Sequence, residues 1–173
     1  TARTARRRSW DAAMVALAPG IVLAGFINWD MWAVALLALG MYFFSRNKLL
    51  LAGIFIGLGT ATKLYPLLIL GAVLLLALRT GKIRAILVTA GSAVAAWLAV
   101  NLPAAAVDPA GWKYFYQFTE SRPAGYSSPW FAFNLVAGRL GWTPLQAEAI
   151  NSAALNIFLL ACVLIAVLAL AAP

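Results

Sequence analysis

Asp30 and Lys63 are the charged residues whose placement first suggests chemistry. Asp30 precedes the Arg46/Lys48 cluster and Lys63 follows it at nearly the same separation along the chain. If both flanking segments are helical, a rise of 1.5 Å per residue puts each charge roughly 22–24 Å from that cluster. The two helices are neighbours in sequence and are expected to pack antiparallel, which brings Asp30 and Lys63 to one depth. An ionisable side chain that far along an apolar bundle usually faces the bundle interior or a wet cavity. Two roles stay open. The pair can be an ion pair that holds two hairpins together. Alternatively, Lys63 and the Tyr65 hydroxyl line a polar site that holds an anion such as a lipid phosphate, for which an ammonium is a good point-charge partner. Asn28 and Trp29 adjoin Asp30 and would line the same site.

A second group lies further along the chain. Glu120, Arg122, Tyr126, Ser128 and Trp130 gather an acid, a fork-shaped cation, hydroxyls and aromatic faces within a short stretch. Arg122 can bind phosphate bidentately, and aromatic faces can stack on sugars. The same residues also suit a loop folded on itself by ordinary hydrogen bonds.

The elements that must position these residues are apolar. Hydrophobic residues make up 64% of the 173 and charged residues 10%, with a mean hydropathy of +0.90. Soluble domains carry about 25% charged residues, so this composition predicts an all-α, polytopic transmembrane helix bundle with the lipid bilayer as its partner. The net charge of +8 does not imply nucleic acid, because the basic residues sit in short clusters between apolar runs, as topology signals do. With no histidine in the chain, zinc sites built on His and Ser-His-Asp triads are excluded; no metal or other cofactor is expected. Cys162 lies inside an apolar run and is expected to be a small buried hydrophobe.

The basic clusters near residues 1–9, 45–48 and 79–85 predict cytoplasmic segments, with about six membrane helices between and after them. The first is expected over 10–27, kinked at Pro19-Gly20. The next are expected over 31–44, 49–62, 66–78 and 86–102, with Pro103 as a stop. The last is expected to open at Thr143-Pro144-Leu145-Gln146, a capping box with proline at its first position, and to run to about Ala171. A rival parse joins 49–78 into one kinked helix, which would move the 79–85 cluster to the outer side. The helices over 31–78 are short: about 14 residues rise about 21 Å against a hydrocarbon core of roughly 30 Å. Residues 103–142 form the one long outer connection, crowded with aromatics. There Trp112, Phe115 and Phe118 recur at a spacing that suits an interfacial helix. Gly53, Gly57 and Gly59 should let helices approach closely, and Asn151, Ser152 and Asn156 should face other helices. The chain opens at Thr1 and closes at Pro173, and it reads as a fragment of one longer transmembrane domain.

Several of these residues carry a family resemblance. Leu17-Ala-Pro19, Gly25-Phe-Ile-Asn-Trp-Asp30 running into Ala33-Val-Ala-Leu36, Leu51-Ala-Gly53 and, most specifically, Gly57-Leu-Gly-Thr-Ala-Thr-Lys-Leu-Tyr-Pro66 resemble bacterial glycosyltransferase family 87 of the GT-C superfamily. The loop pattern Phe115-Tyr116, Arg122, Ser128 and Trp130 is similar too. The best known members of that family are actinobacterial mannosyltransferases that use polyprenyl-phosphate-mannose. The resemblance implies transfer of a sugar, mannose or another hexose or pentose, from a polyprenyl-phosphate lipid to a glycolipid or polysaccharide acceptor. The site would face the outer side of a bacterial plasma membrane. It implies Lys63 and Tyr65 as donor-phosphate contacts, with Arg122 as a further candidate. It also implies a carboxylate base, usually in the first extracytoplasmic loop: Asp30 is the catalytic candidate in this chain, and if the main base lies upstream of Thr1, Asp30 lines the site instead. Two other classes remain open at this point: a transporter or lipid-flippase component, which needs polar groups continued across the membrane, and a non-catalytic membrane scaffold.

Overall fold

The computed structural model describes residues 13–14, 17–24, 30–126 and 128–171, and within these all side chains except those of residues 21, 24 and 119–121. Among the described residues the fold is all-helical, with no strand. By contact the chain divides into two compact units, residues 1–103 and 104–173.

The first unit opens with a break. Ala13 and Met14 are helical, Leu17 and Ala18 are not, and helix α1 restarts at Pro19 and runs to Ala24. A proline at the first helical position loses nothing, because its missing N–H would have had no partner there. The kink expected at Pro19-Gly20 is therefore a helix start. The remainder of the segment expected over 10–27 lies outside the described residues.

Helix α2 (Asp30–Ser45) and helix α3 (Leu49–Thr62) follow the expected spans closely. The turn between them is tight: the Arg46 and Lys48 amides donate to the Phe43 carbonyl at 3.1 and 2.9 Å. Asn47 takes φ 58, a left-handed conformation that asparagine tolerates better than most residues. The α2–α3 seam is built from small residues. Ala33 and Gly40 of α2 and Ala52 and Ile56 of α3 are buried. A Cβ on Gly40 would come within 2.8 Å of Ile56 Cγ1 and 3.2 Å of the Ala52 carbonyl oxygen. Phe43 stacks on Phe55 at 5.3 Å between centroids.

Lys63 is extended (φ −152°, ψ 147°) and ends α3, which excludes the single helix over 49–78. A 3-10 turn, Tyr65–Leu68, leads into helix α4 (Ile69–Thr80), and Gly81 closes it at φ 68, the left-handed position for which glycine has no steric penalty. Helix α5 (Ile83–Val107) then packs on α3 at the glycines. A Cβ on Gly53 would collide with the Ser92 hydroxyl and the Thr89 carbonyl, and one on Gly57 with the Ala93 carbonyl. The expected role of these glycines in close helix approach is thus the observed one.

Pro103 does not stop α5, which continues four residues beyond it to Val107. The stop is Asp108, which takes φ −138 and ψ 86. It precedes Pro109, and the ring of that proline disfavours helical geometry in the residue before it.

The second unit holds the region expected as one long outer connection. It contains two helices, α6 (Pro109–Ser121) and α7 (Pro129–Arg139). Asp108 caps α6 by accepting from the Gly111 amide at 2.9 Å. The aromatic spacing matches α6: Trp112 packs on Tyr116 and Tyr114 on Phe118, with centroids 5.1 and 6.0 Å apart. Tyr114, Phe115 and Phe118 are more than half exposed.

The last helix, α8, runs Ala147–Ala171. It does not open at the Thr143–Gln146 capping box. The Asn134 side-chain amide clamps Leu145, donating to its carbonyl at 3.0 Å and accepting from its N–H at 2.8 Å. That contact holds Thr143–Gln146 out of helical geometry. Cys162, expected to be buried, is exposed on α8; its neighbours Leu159, Val163 and Ile165 are more than half exposed as well. This is the surface of a helix that lipid or further protein would cover.

Two helices among the described residues are long and apolar enough to cross a membrane, α5 and α8, in place of the six or so expected. Each has 25 residues, a rise of about 37 Å. The other apolar segments are Asp30–Ser45, Leu49–Thr62 and Tyr65–Thr80, of 10–17 residues. They fall short of the roughly 30 Å hydrocarbon core because charged or prolyl turns cut them early.

Candidate functional site

The antiparallel α2–α3 pair puts the first residue of α2 beside the residue that follows α3. Lys63 Nζ lies 3.0 Å from Asp30 Oδ1, and both side chains are a little over two-fifths exposed. Each residue is set by its backbone. Asp30 occupies the first turn of α2, where the helix dipole favours a carboxylate. Lys63 leaves α3 in an extended conformation while its N–H still donates to the Gly59 carbonyl at 2.9 Å. A Cβ on Gly59 would already be in contact, at 3.4 Å, with Leu36 and with the Pro66 ring.

Tyr65 completes the group. It is the first residue of the 3-10 turn, with Pro66 buried behind it. Its hydroxyl donates to the Asp30 backbone carbonyl at 3.4 Å, a long bond that a ligand could replace. This turn lies outside the two helices long enough to span a membrane. Partial burial raises the Tyr65 pKa, the Asp30 carboxylate raises it further, and Lys63 offsets part of the rise. The phenol therefore stays protonated at neutral pH and acts as a hydrogen-bond donor. Nearby hydroxyls are already engaged. Thr60 and Thr62 donate to the Ile56 and Leu58 carbonyls one turn back, at 2.9 and 3.0 Å.

An apolar cavity of about 300 Å³ opens next to this group, lined by Thr60, Leu64, Leu67, Ala93, Trp97 and neighbouring residues. Leu64, which follows Lys63 directly, forms part of its wall. Sequence reasoning did not single out this cavity. Gly57 and Ala93, where α3 and α5 meet backbone to backbone, form part of its lining.

Asp30, Lys63 and Tyr65 are therefore brought together, as their spacing suggested. Asn28 and Trp29 lie outside the described residues, as does the side chain of Glu120. The remaining candidates belong to the second unit. Arg122 ends α6 in an extended conformation, and its carbonyl accepts from the Asn151 side chain at 3.4 Å. Tyr126 is nine-tenths exposed and packs edge-on against Phe131 at 5.0 Å. Ser128 caps α7, its hydroxyl accepting from the Phe131 amide at 3.2 Å. Trp130 is half-buried in the first turn of that helix. This stretch is in part a loop organised by its own hydrogen bonds. No cluster of three or more His, Cys, Asp or Glu side chains that could hold a metal ion occurs among the described residues.

A family model described as glycosyltransferase family 87 matches residues 1–173. No curated protein and no solved structure matches the chain.

Proposed function

The chain belongs to glycosyltransferase family 87, and from that premise we propose that it transfers a sugar from a polyprenyl-phosphate donor to a hydroxyl of a glycolipid or polysaccharide, at the outer face of a bacterial plasma membrane. Lys63 holds the donor phosphate, Tyr65 donates a hydrogen bond to it, and Asp30 keeps the Lys63 ammonium in place.

The observation that carries this reading is a cation held 3.0 Å from a carboxylate at the edge of an apolar cavity whose wall includes the next residue, Leu64. A phosphate on a hydrocarbon chain presents the complementary pair of surfaces. In the transfer step the acceptor oxygen forms a bond to the anomeric carbon of the sugar as the bond from that carbon to the phosphate oxygen breaks. The phosphate leaves with the bonding electron pair, and the acceptor proton passes to a base. Negative charge therefore grows on the phosphate in the transition state, where an ammonium and a neutral phenol stabilise it. Lys63 is suited to this because its partner is a single carboxylate at a half-exposed position, where an ion pair contributes little stability. A phosphate can take over the ammonium at small cost. The exposed aromatic faces of α6, and Arg122 with Tyr126 beyond them, are the groups through which the second unit would meet a carbohydrate or a membrane surface.

The test is Lys63→Ala in the full-length enzyme, assayed with a polyprenyl-phosphate sugar. Removing one donor aimed at developing charge costs about 10²–10³ in turnover, and a loss of that order is expected with the protein still folded. Turnover and donor KM equal to wild type would remove the assignment.

A further inference from the structure

The end of the α2–α3 pair remote from Asp30 and Lys63 carries a separate concentration of charge. Arg46 and Lys48 lie at the turn joining these helices, Lys82 lies at the turn between α4 and α5, and Arg79 and Arg84 flank the latter. Both turns border a single cavity of about 240 Å³. Asn47, Thr80 and Lys82 give it a polar rim, and Phe44, Val73 and Leu76 give it an apolar wall. Lys48 and Lys82 are exposed.

The chain has no Asp or Glu between Asp30 and Asp108, and Asp30 is bound to Lys63 at the other end of the helices. The segments that build this cavity thus supply cations and no carboxylate. Lys82 lines the opening and Lys48 stands between the lining residues Asn47 and Leu49, and cations at one opening attract anions. Apolar walls below a cationic rim match an amphiphile better than a soluble ion. Pockets that enclose drug-sized ligands run about 300–1,000 Å³; the smaller volume here fits a headgroup, with the acyl chains left outside.

We propose that this cavity seats the phosphate headgroup of an anionic phospholipid from the adjoining leaflet, with Lys48 and Lys82 as its principal cations. Basic pockets between membrane helices bind such headgroups, and each lysine near the surface contributes about a fivefold change in affinity. The site is separate from the Asp30–Lys63 group and does not depend on the role assigned there.

The experiment uses the full-length protein in neutral detergent, with phosphatidylglycerol and phosphatidylcholine as probes and retained lipid counted by native mass spectrometry. Wild type is expected to retain phosphatidylglycerol preferentially. Lys48→Gln and Lys82→Gln should each weaken retention about fivefold, and the double variant about 25-fold. The charge-conserving Lys48→Arg, Lys82→Arg double variant should retain it. Inorganic phosphate at equal concentration should not displace the lipid. Equal retention of the two lipids by wild type would overturn the proposal without recourse to any variant. So would a folded double Gln variant, judged by circular dichroism and elution volume, that keeps wild-type retention. Displacement by inorganic phosphate at the lipid's own concentration would show a soluble-anion site and would also overturn it.

Discussion

The two ends of the α2–α3 pair solve the same electrostatic problem differently. At one end Lys63 meets Asp30 at 3.0 Å, so the protein supplies its own counter-ion. At the other, Arg46 and Lys48 stand on a turn whose surrounding segments contain no carboxylate. An ion pair at a half-exposed position adds only about 0–1 kcal/mol, so stability alone does not explain its placement beside an apolar cavity. The difference points to two uses of cationic charge. An internal partner orients Lys63, whereas the Arg46–Lys48 turn has no carboxylate near it in sequence and, under the proposal above, draws its counter-charge from a lipid.

The most disruptive way to break this comparison is to remove the packing that defines both ends. Gly57→Leu sets a side chain against the Ala93 backbone carbonyl, and backbone cannot rotate out of the way. Overpacking a core ordinarily costs about 1–3 kcal/mol, and the cost here should lie at or above the upper limit. Thermal unfolding of the purified protein should show a large drop in midpoint, with activity lost in parallel. A midpoint equal to wild type would mean that α3 and α5 are not in this contact.

The next test exchanges the charges. Asp30→Lys combined with Lys63→Asp restores an ion pair of opposite polarity. A mere brace between hairpins would tolerate the swap. A phosphate site would not, because the cation no longer occupies the position beside Leu64 and Tyr65. Turnover is expected to fall about 10²-fold or more while the protein stays folded. Near-normal turnover in the swapped enzyme would reduce the pair to a structural link.

The smallest effect sharpens the role of Asp30. Asp30→Asn removes the carboxylate and keeps its size. The stability change should be within about 1 kcal/mol, as for other exposed pairs. If Asp30 acts by positioning Lys63, donor KM should rise more than turnover falls, and Asp30→Glu should restore most of the loss. A fall in turnover in Asp30→Asn with donor KM unchanged, not restored by Asp30→Glu, would instead assign the proton transfer to Asp30.

Much of the fold could be read from residue order. The spans of α2 and α3 follow from uninterrupted apolar runs bounded by Asp30, by Arg46–Lys48 and by Lys63. That a helix covers Trp112–Phe118 follows from its aromatic spacing. The misreadings have local causes. Pro103 looked like a terminator, yet a proline late in a helix removes a single hydrogen bond, while Asp108, held out of helical geometry by the Pro109 ring, ends the helix outright. Thr143-Pro144-Leu145-Gln146 has the composition of a helix start, but Asn134, remote in sequence, captures the Leu145 backbone first. Among the described residues fewer helices reach spanning length than expected, because hydropathy registers a short apolar run and a long one alike, whereas crossing a bilayer depends on length.

By itself the sequence determined the all-helical class, the placement of charge at turns, and the Lys63-Leu-Tyr-Pro66 block with its family. These depend on local composition and periodicity, which need no partner to be read. Only the tertiary structure decided that Asp30 and Lys63 touch, that an apolar cavity adjoins them, and that the Arg46–Lys48 and Lys82 turns share a second one. Each of these depends on how closely helices approach, and that distance is set by backbone meeting backbone at Gly40, Gly53 and Gly57.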